Sequence, residues 1–303
     1  MPSQALQLTI PLRLATRLRP VGELLVLTKP RITLSSTLAA TAGMAAHGPG
    51  WAGGASLAAL AGIALCVASA CTFNMWFERE TDALMSRTRT RPLPKGSLDA
   101  ATALAFAVIL ALGGLTLTAW FGGPVTVGLS FAALVLYSFV YTPLKRVTPG
   151  ASLVGIIPGA IPPIIGASVL GAPPQLAWLL AGLLAVWQLP HLLAVALRLQ
   201  PQYENARLHT LLDWLGESKS RVLLRVGFAV LLPAAFVPVL SGVQHWSLWV
   251  GCALSALIAL VGLARSIADV RAGFSSRWYV LATVLYVVPL ILGAIHAGPA
   301  AAQ

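Results

Sequence analysis

Apolar runs, each close to the length of a membrane-crossing helix, follow one another along most of the chain, separated by short polar or Gly- and Pro-containing breaks. They lie at roughly 32–47, 55–77, 101–120, 124–141, 152–170, 175–197, 222–241, 247–264 and 278–296. A helix needs about 20 apolar residues to cross a bilayer, and it satisfies its own backbone groups where there is no water. The pattern therefore predicts nine transmembrane helices in one all-α, polytopic domain over residues 23–298, preceded by a basic segment, residues 1–22. Gly43 and Gly48 to Gly50 shorten the first run. The fifth holds Pro158, Pro162 and Pro163 and should kink or break, which a membrane tolerates where the freed backbone is buried in protein or lines a cavity.

Composition agrees with this pattern. Of 303 residues, 57% are hydrophobic and 10% charged, and the mean hydropathy is +0.83, values of an integral membrane protein. Nine crossings place the N-terminus and loops 78–100, 142–151, 198–221 and 265–277 on one side, together with all 20 Lys and Arg residues. By the positive-inside rule that side is cytoplasmic and the C-terminus lies outside, as expected of a multi-pass protein of the cell inner (plasma) membrane. All nine acidic residues share the cytoplasmic side, which the topology rule does not require and which points to chemistry confined to one face. The net charge of +11 is accounted for by topology and by anionic lipid head groups, so nucleic acid is not an expected partner. Cys66, Cys71 and Cys252 have no metal spacing and read as small core residues. The acid-free stretch PLRLATRLRP, Pro11 to Pro20, reads as a short amphipathic surface helix.

The candidate chemistry begins at the end of the second run, in NMWFERETDALMSRTRTRPLPKG. Asn74, Glu78 and Asp82 are spaced i, i+4, i+8, so on a continuous helix they share one face with about 6 Å of rise between neighbours. An amide and two carboxylates are hard oxygen ligands suited to Mg²⁺, which completes its shell with water and phosphate oxygens. Arg87, Arg89, Arg91 and Lys95 follow and suit the oxygens of a diphosphate. The plainer interpretation is a helix end capped by solvated charges. Against it, Asn74 lies inside the apolar run, where an amide without a partner is costly.

Three further segments add polar groups on the same side. Lys29 and Arg31 stand at the entry to the first run, and Tyr141, Lys145 and Arg146 follow the fourth. After the sixth, Gln188, His191 and Arg198 precede Tyr203, Glu204 and Arg207 in a weaker second cluster. An intramembrane His beside a Pro is as consistent with packing as with function.

The stretches LTKPRI (27–32), N-M-W-x-E-R-x-x-D-x-x-M-x-R-T-x-x-R-P-L-P (74–94), YTPLKRVTP (141–149) and G-x-x-P-G-A-x-P-P-x-I-G (155–166) together resemble the protohaem IX farnesyltransferase (haem O synthase) family of UbiA-type intramembrane prenyltransferases. That resemblance implies a nine-helix bundle with a central cavity opening to the cytoplasmic side. It implies transfer of a farnesyl group from farnesyl diphosphate to a vinyl group of haem B, with addition of water, giving haem O and diphosphate. Asn74, Glu78 and Asp82 would hold Mg²⁺, and with Arg87 and Lys145 they form the catalytic set. Lys29, Arg31, Arg91, Tyr141, Arg146, His191, Tyr203 and Glu204 are the substrate-binding candidates, His191 toward haem. Membrane lipids, and haem A synthase or terminal-oxidase assembly proteins, are the implied partners. The chain departs from the family pattern at Glu78, where Asp is usual, at Ala151 in place of Asn, at Leu192-Leu193 in place of an aromatic pair, and over ARLHTLLDW. These departures fall mostly in the second cluster, so two alternatives stay open: a UbiA-type enzyme with an aromatic or quinone-precursor acceptor, and a non-catalytic haem- or lipid-binding or transport protein.

Overall fold

The computed structural model describes residues 12–272 and 276–297, and every regular element among them is a helix. Helix α1 (Leu12–Leu27) carries the basic segment straight into the bundle, where Leu24 and Leu27 pack with Met75 and Ala103. The surface helix expected over Pro11–Pro20 is thus the start of a longer one, with Pro11 outside the described residues. Lys29 follows in the left-handed region, φ 46°. Pro30, which disfavours an α conformation in the residue before it, opens α2 (Pro30–Ala45).

Helix α3 (Gly54–Leu84) has 31 residues and is about 46 Å long, well over the roughly 30 Å of a hydrocarbon core. It therefore extends beyond the apolar layer, and the acidic ladder occupies its C-terminal turns. A single turn, α4 (Pro92–Lys95), follows in the charged loop.

Helix α5 (Ala100–Val135) contains two of the expected spans, with Gly123 between them at φ 78°, ψ −179°. Glycine adopts this backbone without the penalty a Cβ brings, and the chain reverses there. Ser69 Oγ donates to Ala107 O at 2.7 Å, Leu129 packs by Ile63, and Leu134 packs by Phe73. The two halves of α5 therefore run in opposite directions along α3. A π-helical stretch, Leu136–Tyr141, and a short α6 (Thr142–Leu144) lead out to the next charged loop.

The proline-rich span breaks as its sequence predicts, into α7 (Ala151–Ala160) and α8 (Pro162–Ser168), separated at Ile161. Helices α9 (Gln175–Asn205), α10 (Leu211–Ala234), α11 (Trp246–Ala272) and α12 (Ser276–Ala297) complete the bundle. Among the described residues, seven helical stretches are long and apolar enough to cross a membrane. This number differs from nine for two physical reasons. Two expected spans share the stretch Ala100–Leu144 across Gly123, and α2, with 16 residues, is shorter than any of the seven.

The largest apolar core joins α2, α9, α10, α11 and α12 through Leu180, Leu184, Leu231, Leu248, Tyr286 and Leu290. An apolar cleft beside it is lined by Ala39, Pro163, Leu183, Trp187, Tyr286 and Leu290. Close seams hold the helices together, as expected where lipid offers apolar surface as good as a neighbouring helix and association rests on close packing. A Cβ built on Gly43 would lie 1.8 Å from Pro163 O and one on Gly166 1.8 Å from Ala40 O, so α2 and α8 meet backbone to backbone. The three cysteines are free and buried, in keeping with core roles.

Candidate active site

Asn74, Glu78 and Asp82 stand on successive turns of α3 and are all buried. A different chain segment brings a cation to each. Lys29 Nζ donates to Asn74 Oδ1, Lys145 forms an ion pair with Glu78 Oε1, and Arg91 Nη1 donates to Asp82 Oδ2 at 2.6 Å. The sequence places each cation by local means. Lys29 occupies its strained left-handed turn between α1 and Pro30, a backbone state that persists only where the surroundings impose it. Arg91 is the extended residue that caps α4 at Pro92. Lys145 ends α6, just after the π-helical stretch.

Two threonines complete the frame. Asn74 Nδ2 donates to Thr142 Oγ1 at 2.9 Å, and Thr142 Oγ1 donates to Tyr137 O at 2.8 Å. Thr88 Oγ1 donates to Asp82 O at 2.8 Å, tying the loop after α3 to the last rung. Sequence inspection passes over both. Thr142 sits in the quoted YTPLKR stretch, but a Thr before a Pro at a helix end is too ordinary a signal to single out. Tyr141 lies under Lys145, whose ammonium is 4.8 Å from the ring centre, and the ring rests on Gly155, where a Cβ would come within 2.7 Å of it. Arg146 Nη2 donates to Phe77 O at 2.7 Å, so it braces α3.

The cluster sets three cations against two carboxylates. Burial pushes the Lys29 ammonium below the ordinary lysine value; Cys71 and Glu78 oppose the shift, and Arg91 and Lys145 add to it. Burial also works against the charge on Lys145, but the Glu78 carboxylate outweighs it and holds Lys145 above that value. The surplus of positive charge in a partly enclosed place attracts an anion.

Other predicted residues stand apart from the ladder. Arg31 and the Arg87 side chain are exposed, although the Arg87 N–H bonds Gln202 Oε1 at 3.2 Å. Tyr203 packs with Met85, Ala206 and Leu208. Glu204 is exposed and accepts from Gln200 Nε2 at 2.9 Å.

His191 lies between α9 and α12. Its ring stacks on Trp187 with centres 4.9 Å apart, and its Nδ1 is 3.0 Å from Thr283 Oγ1. The Thr283 hydroxyl is also within hydrogen-bond distance of Val280 O at 2.9 Å and Tyr279 O at 3.1 Å. Gln188 Nε2 donates to Ile156 O at 2.8 Å, which satisfies the second polar side chain in that span.

The donor set of the ladder fits Mg²⁺. The donors are amide and carboxylate oxygens, and neighbouring rungs lie about 6 Å apart in rise, so one ion takes two adjacent rungs at most. Mg²⁺ is bound in this open way, by one or two carboxylates with water and phosphate completing its shell. Among the described residues no three His, Cys, Asp or Glu side chains gather into a closed metal cage.

The chain belongs to the UbiA prenyltransferase family, whose model matches residues 33–282. Within it, the chain is similar to proteins named protoheme IX farnesyltransferase. It is 37% identical over 278 residues to that of Anaeromyxobacter sp. (strain Fw109-5), covering 90% of this chain and 93% of the relative. It is 37% identical over 236 residues to that of Solibacter usitatus (strain Ellin6076), covering 77% and 80%. Among solved structures, a UbiA homolog from Archaeoglobus fulgidus bound to GPP and Mg²⁺ superposes with a TM-score of 0.63 at 15% identity over 91% of this chain and 99% of the other. A UbiA homolog from Aeropyrum pernix K1 gives 0.66 at 18% identity over 87% and 98%. At these identities the likeness to the solved structures is one of fold.

Proposed function

We propose that the chain is a Mg²⁺-dependent intramembrane prenyltransferase that joins the farnesyl group of farnesyl diphosphate to a vinyl group of haem B, giving haem O. The convergence of Lys29, Arg91 and Lys145 on the oxygen ladder carries the diphosphate half of this proposal. The identity of 37% over 90% of the chain with a protoheme IX farnesyltransferase supports the haem half.

In the reaction the allylic carbon–oxygen bond breaks and its electron pair leaves with diphosphate. The terminal vinyl carbon bonds to the farnesyl carbon, and the cation left on the adjacent carbon takes a water, which loses a proton. Lys29, Arg91 and Lys145 face the leaving diphosphate and stabilise the charge that develops on it. Asn74, Glu78 and Asp82 are the residues that would hold Mg²⁺, which when bound neutralises phosphate oxygens and eases departure of the leaving group. The apolar interior of the bundle accommodates the farnesyl chain and keeps water from the allylic cation before the acceptor reaches it. His191 is the residue that would contact haem, as a ligand or through a propionate.

The site opens on the cytoplasmic side of the inner membrane in this scheme, because the ladder lies on the side where the Lys and Arg residues gather. The product stays in the bilayer, where haem A synthase or terminal-oxidase assembly proteins would receive it.

The test is mass spectrometry of haems extracted after incubating the purified protein in detergent with haem B, farnesyl diphosphate and Mg²⁺, with an EDTA control. A hydroxyethylfarnesyl haem that EDTA suppresses is the expected product. Diphosphate release only with an aromatic acceptor would replace haem as substrate. No diphosphate release with any acceptor, haem included, would leave a non-enzymatic membrane protein.

A further inference from the structure

We infer that Thr142 is a positioning residue that fixes which end of the Asn74 amide faces the diphosphate and its metal. The inference rests on the proposed diphosphate site and goes beyond it, since Thr142 itself touches neither substrate.

The geometry begins with a backbone carbonyl. In the π-helical stretch Leu136–Tyr141, Tyr137 O accepts the Thr142 N–H from five residues on, and the Thr142 hydroxyl donates to the same carbonyl at 2.8 Å. A carbonyl oxygen only accepts, so the single hydroxyl hydrogen is committed, and Thr142 Oγ1 offers its second neighbour nothing but a lone pair. Whatever meets it must donate. Asn74 meets it at 2.9 Å and must therefore present Nδ2.

The opposite end of the amide obeys the same logic. A lysine ammonium has three donors and no lone pair, and Lys29 Nζ contacts Asn74 on Oδ1. The two ends agree independently, so the amide has one orientation. Its oxygen, the atom that can ligate a cation, is held on the side where Lys29 and the next rungs stand. Without the hydroxyl only Lys29 still favours this orientation and the amide NH₂ has lost its acceptor, so the amide turns its NH₂ group toward the cation site, where it cannot ligate, more readily than in the wild type.

An aspartate at 74 gives a discriminating variant, because both of its ends are oxygens. It has no wrong orientation, so the Thr142 hydroxyl has nothing left to select. Substitutions at 74 and 142 should then be strongly non-additive, as expected for residues in one hydrogen-bond network.

The test follows immobilisation of Mn²⁺, by loss of its free-ion electron paramagnetic resonance signal, on the full-length protein in detergent with inorganic pyrophosphate present. Thr142→Val is expected to weaken Mn²⁺ binding about tenfold, the scale of one hydrogen bond that fixes a ligand, and Thr142→Ser to restore it to within about twofold. Thr142→Val in an Asn74→Asp background is expected to change binding by less than about twofold. Equal weakening by Thr142→Val in both backgrounds would mean a purely structural role and overturn the inference, as would binding by Thr142→Val equal to wild type. If the wild-type protein immobilises no Mn²⁺, the metal site itself is wrong and this inference falls with it. If Thr142→Val does not fold, the serine variant decides: weakened binding there, despite the hydroxyl, would also overturn it.

Discussion

Replacing Lys145 by Met tests whether one ammonium serves both the fold and the reaction. The Lys145 and Glu78 side chains are only 20% and 10% exposed, and the two pair directly. Removing the lysine leaves a buried carboxylate with no opposite charge in contact, a change that costs about 3–5 kcal/mol when one partner of a buried pair is lost. It also removes one of the groups facing the leaving diphosphate, and loss of one such stabilising donor typically lowers kcat by about 10²–10³. The two effects separate in Lys145→Met/Glu78→Gln, where no unpaired charge remains. The double variant should recover stability to within about 1 kcal/mol of wild type, since neutralising a whole buried pair is often tolerated, but should stay as inactive as the single one. Thermal unfolding in detergent followed by tryptophan fluorescence measures the first effect, and haem O formation by mass spectrometry the second. If Lys145→Met melts with the wild type, or if the double variant is no more stable than the single, the pair does not hold the site together as argued.

Other expectations are as direct. Lys29 is held below the ordinary lysine value by burial, so kcat/KM should fall at alkaline pH below that value as the ammonium is lost, and Lys29→Arg should move the fall upward; an unmoved limb would clear Lys29 of the effect. For stability the sign is opposite: between the lowered folded value and the ordinary one the native state binds fewer protons than the unfolded state, so this residue's contribution to stability grows as pH rises through that window. Asp82→Ala should abolish turnover while leaving passive haem binding, read by haem absorbance, within about twofold of wild type; undiminished product formation would remove Asp82 from the site. Gly166→Ala places a methyl on the Ala40 carbonyl and should destabilise the protein by about 1–3 kcal/mol or more, seen as a lower melting temperature; an unchanged melt would mean that α2 and α8 separate without cost.

Much of the fold was legible because membrane helices declare themselves by length and their interruptions by Gly and Pro. The breaks at Gly123 and Ile161 both fall where the sequence marks them. The ladder was legible because i, i+4, i+8 spacing on a helix fixes a shared face regardless of tertiary structure. Its pairing was not. Lys29, Arg91 and Lys145 come from three segments, and only the packing of α2, α4 and α6 around α3 decides which cation meets which rung. Thr142 was missed for a similar reason, since its role depends on a π-helical stretch that no apolar periodicity announces. Glu204, in the second polar cluster, accepts from Gln200 one turn earlier on an exposed face, a local contact that helical i, i+4 spacing already makes available.

The seam between α2 and α8 has a consequence for traffic. Where the Gly43 and Gly166 backbones lie against Pro163 and Ala40, no gap remains that a hydrocarbon chain can part, so a long prenyl tail arriving sideways from the bilayer has no doorway there. A lateral gate, if the tail uses one, belongs at a seam held by flexible side chains. The Gly43 and Gly166 contacts thus close this seam of the bundle to the passage of substrate.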